Sequence, residues 1–162
     1  MFEPQPAYFC IIQYTPESDR LEGVNVGVVL FCPKLSYLGV QITALYDRAE
    51  RFFPDIEGEE VQSEAEGLEY RIMHIEAQYM HTLEDLQHFV DTRANQTILT
   101  NPRPMSLRQP PEKELLRLFC QLVDERPEAL AAHVPAETAS AEPHNGAVPI
   151  PESPTVAVPA NP

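Results

Sequence analysis

The sequence predicts an α+β fold: a small antiparallel sheet of three to four strands, arranged as a meander, packed against helices and followed by a disordered C-terminal tail. Three observations lead there. Apolar runs in the first 43 residues have strand periodicity and are separated by turn chemistry. From Leu45 the period becomes helical, and after Arg126 the chain turns to Pro and Ala with no basic and no aromatic residue.

The first strand is read over Ala7 to Tyr14, where Tyr8, Phe9, Cys10, Ile11 and Ile12 are apolar on both parities, as a strand covered on both faces requires. Pro16, Asp19 and Gly23 supply the reversal after it. Val24 to Cys32 is the clearest strand, with Val24, Val26, Val28 and Leu30 expected on one face and Asn25 and Gly27 opening the other. A short turn at Pro33 to Ser36 leads into a third strand over Tyr37 to Thr43, completing the meander.

Leu45, Ala49, Phe52 and Phe53 then cluster at helical spacing, Asp47 and Arg51 are placed to pair, and Pro54 ends the segment. A longer helix is predicted over Gly58 to Met80, its apolar stripe formed by Val61, Ala65, Leu68, Ile72, Ile75 and Tyr79 and facing either the sheet or a partner. Thr82 with Asp85 forms a capping box for a short helix carrying Leu83, Leu86, Phe89 and Val90. Thr97 to Thr100 is a short strand, and Pro102, Pro104, Pro110 and Pro111 are expected to keep the next connection irregular. Leu115, Leu118, Phe119, Leu122 and Val123 mark a closing amphipathic helix.

A single domain over residues 1–126 and a tail over 127–162 follow from this organisation, 162 residues being a one-domain length. Eight prolines and four glutamates from Pro127 onward leave the tail too little apolar surface to offset its ordering entropy, about 1–2 kcal/mol per residue. A solubilising role is the simplest, and its Val-Pro, Ile-Pro and Ser-Pro steps also suit a groove that reads polyproline helix.

The longest apolar run, Val26 to Cys32, is far below the ~20 residues that cross a bilayer, and the N-terminus shows no basic and apolar leader pattern. A protein that stays in the cytoplasm, off the membrane, is expected. Cys10, Cys32 and Cys120 are widely spaced within apolar segments, fitting buried reduced thiols rather than a disulfide or zinc framework. A net charge of −14 argues against direct nucleic-acid binding, which replaces counterions with Lys and Arg. All 11 basic residues lie at or before Arg126, which leaves room for a local arginine patch.

Arg20, Glu22 and Asn25 form the most prominent polar constellation. Arg20 has the fork to hold an anion, with Asn25 offering an amide beside Gly27, where a ligand can approach. The plainer alternative is an exposed Arg20–Glu22 ion pair with Asn25 bonding its neighbouring loop. Arg93, Arg103 and Arg108 flank the Thr97 segment, either as a cationic patch with Arg20 or as solvated loop residues. His74, His81 and His88 recur every seven residues, about 10 Å apart on a helix and too far to share one ion; His81, Asp85 and His88 are closer but lack a further ligand. No metal or cofactor is expected. No nucleophile elbow, phosphate loop, dinucleotide fingerprint or paired CxxC occurs.

The stretch Arg20 Leu21 Glu22 Gly23 Val24 Asn25 Val26 Gly27 Val28 Val29 Leu30 resembles the signature of an uncharacterised bacterial family, domain of unknown function 3037. Glu114 to Phe119 with Leu122 and Val123 is similar to that family's terminal helix. The resemblance spans about Ala7 to Asp124. It implies no established activity, but it implies a partner, because members are often encoded beside a kinase similar to the HipA toxin kinases. Two readings of function result. One is a small non-enzymatic interaction or regulatory protein, the companion of a HipA-like kinase, docking through the Arg20, Glu22, Asn25 edge or the long helix. The other is an enzyme acting on a phosphorylated or nucleotide ligand, held by Arg20 and Arg93 with Glu22 as acid or base.

Overall fold

A computed structural model describes residues 1–17, 22–92 and 96–131. The first strand, β1 (Gln5–Tyr14), is apolar on both parities because both its faces are covered. It pairs antiparallel with β2 (Val24–Cys32), and β2 pairs antiparallel with β3 (Tyr37–Ile42). Between β2 and β3 a single 3₁₀ turn over Pro33–Leu35 closes on Ser36, whose φ of 49° is left-handed and whose N–H bonds the Pro33 carbonyl at 3.1 Å. The expected meander is thus present.

One expectation about β2 needs correcting. Ile12 faces Gly27 and Gln13 faces Asn25, so Val26 is an extra residue on β2. Such a bulge reverses the side-chain alternation beyond it. Val24 and Val26 therefore share a face with Val29 and Phe31, while Val28, Leu30 and Cys32 face the other way, instead of one continuous face from Val24 to Leu30. Gly27 is required here: an added Cβ would lie 2.9 Å from the Gln41 carbonyl oxygen and 3.0 Å from Ile12 Cδ1.

Helix α1 (Asp47–Phe52) stops ahead of Pro54, as the missing donor dictates. Helix α2 (Gly58–Arg71) starts with Glu59 and Glu60, whose charges suit the N-terminal dipole. It widens into one π turn over Ile72–Glu76 and ends in a 3₁₀ turn over Ala77–Tyr79, so the predicted long helix is helical nearly throughout. The capping box forms as expected, with Thr82 and Asp85 bonding each other's backbone N–H at the start of α3 (Leu83–Asp91).

Strand β4 (Thr97–Leu99) pairs with Ile12 to Tyr14. The connection after it is not irregular throughout: β5 (Arg103–Leu107) pairs with Gln5 to Phe9, Pro104 lying opposite Tyr8. An edge strand tolerates proline because its outward side has no ladder to complete. The sheet thus has five strands, with β4 and β5 in tandem along the free side of β1 and β2 then β3 on the other. Helix α4 (Pro111–Leu122) begins with its proline in the first turn, where no N–H is needed.

Helices cover both faces. Val61, Ala65, Leu68, Leu86 and Phe89 of α2 and α3 pack on Ile12, Tyr14, Val29 and Phe31. Leu115, Leu118 and Phe119 of α4 pack on Val28, Leu30 and Leu107. Full burial of each such side chain contributes about 1.5–3 kcal/mol. A short helix α5 (Glu128–Ala131) lies past Arg126; Ala129 is buried in the second cluster and its carbonyl accepts the Ala44 N–H at 2.8 Å. The rest of the expected tail, 132–162, lies outside the described residues.

Candidate functional surface

Of the four candidate binding residues, Arg20 and Arg93 lie outside the described residues, while Glu22 and Asn25 lie within them. Glu22 is exposed on the rim of a cleft of 230 Å³, shared with Pro16, Glu17, Phe52, Phe53 and Asp55. Three carboxylates therefore line it. Its floor is aromatic: Phe53 meets Phe52 edge-on at 4.9 Å and Tyr14 at 6.2 Å.

Asn25 does not point at that cleft but ties the sheet to α4. Its Oδ1 accepts a hydrogen bond from Gln13 Nε2 at 2.8 Å, and its Nδ2 donates to the Leu122 carbonyl at 2.9 Å. That carbonyl is among the last of α4, which have no partner within the helix. Asn25 and Gly27 also do not share a face, because the bulge at Val26 intervenes. The Asn25 amide thus bonds a side chain of β1 and a helix end, not a neighbouring loop.

Next to Asn25 lies an ion cluster of which the sequence suggested only the Asp47–Arg51 pair. Arg126 bonds Asp47 at 2.9 Å and Asp124 at 2.6 Å, Arg51 bonds Asp47 at 3.0 Å, and Arg48 donates to the Val123 carbonyl. The Arg126 guanidinium holds both the Asp47 and Asp124 carboxyls below their usual range. These groups join α1 to the end of α4 across 79 residues of sequence, which local patterning cannot reveal.

The histidines carry other work or none. Asp85 accepts from the His81 and Thr82 N–H groups, a capping duty that lowers its pKa, and His74 packs its ring at 4.5 Å from Tyr70. Among the described residues no group of three or more His, Cys, Asp and Glu is placed to hold a metal. Cys10 and Cys32 are buried and Cys120 half-buried, all as free thiols. Arg103 and Arg108 are exposed at either end of β5. No helix among the described residues is long and apolar enough to cross a membrane.

The main surface feature is on the long helical segment. Ile72 is wholly buried, yet Ile75 is 46% and Tyr79 63% exposed, so the expected stripe faces the sheet only as far as Ile72. The π turn explains it: one additional residue per turn rotates the residues downstream by about 100°, and Met80 takes the inward position instead. Together with exposed Tyr70 and Met73, this leaves four large apolar side chains facing solvent within ten residues. Arg71 pins the turn, bonding Glu76 at 3.1 Å while its guanidinium sits 5.7 Å from the centre of the Phe89 ring.

The model of the family described as "Protein of unknown function (DUF3037)" matches residues 9–123. Comparisons with curated proteins and with solved structures find no match.

Proposed function

The chain belongs to that family of proteins of unknown function, and on this premise we propose that its domain is a non-enzymatic interaction module, the companion of a HipA-like kinase. The observation that supports docking is the outward rotation of Ile75 and Tyr79 beside Tyr70 and Met73. π turns cost helical hydrogen-bond geometry and recur at functional sites, and clustered exposed apolar side chains mark protein interaction surfaces. The enzymatic alternative has less support. Glu22 and Asp55 both line the cleft where a phosphorylated or nucleotide ligand would sit, and both ends of the Asn25 amide are engaged.

The test is to search the gene's neighbourhood for a HipA-like kinase and to co-express the two products, followed by size-exclusion chromatography and native mass spectrometry. Co-elution in a stoichiometric complex is expected. Separate elution at micromolar concentrations, or a genome with no such kinase near the gene, overturns the companion role.

A further inference from the structure

Resting on the reading of this domain as an interaction module, we infer that the face formed by Tyr70, Met73, Ile75 and Tyr79 receives a basic amphipathic segment of its partner. The apolar anchors and the charges around them argue for that occupant together. Between Gly58 and Met80 the chain carries six carboxylates, Glu59, Glu60, Glu64, Glu66, Glu69 and Glu76, against a single guanidinium, Arg71. Arg71 is already paired with Glu76. Glu66 and Glu69 precede Tyr70 and Met73 by four residues, which puts each carboxylate one helical turn from an apolar anchor on the same side. The segment thus exposes large apolar side chains with negative charge one turn away.

Other occupants match this face poorly. A second copy of the chain would bring the same six carboxylates against it, and like charges across an interface oppose docking. Residues 132–162 contain three glutamates and no Lys or Arg, so they offer this face no complementary charge. Nucleic acid would set its phosphates against the carboxylates of this segment, which opposes binding. A partner helix with apolar residues at i, i+3, i+4 and i+7 and Lys or Arg on its flanks satisfies both halves of the pattern.

The test titrates the full chain into a fluorescein-labelled 20-residue amphipathic helix with Leu on one face and Lys and Arg on the other, read by anisotropy. A matched peptide with Glu in place of the basic residues is the control. The basic peptide is expected to bind at low micromolar concentration, to weaken as salt rises, and to lose about tenfold in affinity against Ile75→Asp or Tyr79→Asp. The acidic peptide should not bind. Ile75 and Tyr79 are exposed, so circular dichroism should show both variants folded. Absence of binding at 100-fold higher protein concentration overturns the inference, as does equal binding by the variants or self-association of the wild type that Ile75→Asp abolishes. The same variants, carried into the kinase co-elution, separate the two conclusions. A kinase complex untouched by them removes this face but leaves the companion role, whereas peptide binding without any kinase complex removes the companion role but leaves this face.

Discussion

Replacing Asn25 gives the most direct check on how the sheet is joined to α4. In Asn25→Ala the Gln13 amide and the Leu122 carbonyl each lose a partner. At about 0.5–1.5 kcal/mol per hydrogen bond the loss is about 1–3 kcal/mol, and water reaching this half-buried site moves the value toward the lower end. Asn25→Asp separates the two bonds. A carboxylate can still accept from Gln13, but it has no donor for Leu122 and turns a negative charge on the negative end of the α4 dipole. The folded-state pKa of that new carboxyl is therefore raised, so its penalty is full at neutral pH and disappears as pH falls below the ordinary aspartate value of about 3.9. Urea unfolding monitored by circular dichroism should rank stability as wild type, then Ala, then Asp at pH 7, with Asp closing on Ala near pH 4. Either variant within about 0.3 kcal/mol of wild type, or an Asp variant no worse than Ala at pH 7, would refute the reasoning.

Phe119→Ala, which empties a fully buried site between α4 and the sheet, should cost about 3–5 kcal/mol in the same denaturation assay, a large share of the stability of a domain this size. Glu114 is buried and held below its usual pKa, first by its bond to Arg117 and then by Gln109. A depressed folded pKa stabilises above the unfolded value and is lost as pH falls through the folded one, so wild-type stability should drop below about pH 4.5 and Glu114→Gln should show a shallower drop. Burial pushes the Cys10 thiol up to about 12, so iodoacetamide at pH 8 should label half-buried Cys120 in the native protein and reach Cys10 only after unfolding, as peptide mass mapping would report.

The meander was legible because Tyr8 to Ile12, Val24 to Cys32 and Leu38 to Ile42 each carry strand periodicity, and the capping box because Thr82 and Asp85 act within four residues. The features that escaped were set by partners remote in sequence. The bulge at Val26 exists only relative to Gln13, so counting along β2 alone put Val26 and Val28 on one face. β5 was hidden by Pro102 and Pro104, whose cost vanishes on an edge that composition cannot identify. The π turn keeps the helical signal but shifts its phase by one residue, so Ile75 continues the stripe in sequence although it no longer shares the buried side of Ile72. Within the candidate constellation the polar residues were visible, but the destination of Asn25 was a carbonyl 97 positions away.

The tandem placement of β4 and β5 along β1 has a consequence for how the chain reaches its native state. The Ile11 amide finds the Thr100 hydroxyl 89 positions further along the chain, so the central strand stays open on one flank until residues 97–107 have been synthesised and docked. Closure over so long a loop slows folding, and an unpaired apolar strand edge invites adhesion to other nascent chains in the interval. Expression yield should therefore respond to co-produced chaperones and to lower growth temperature more than the finished domain's own stability would suggest.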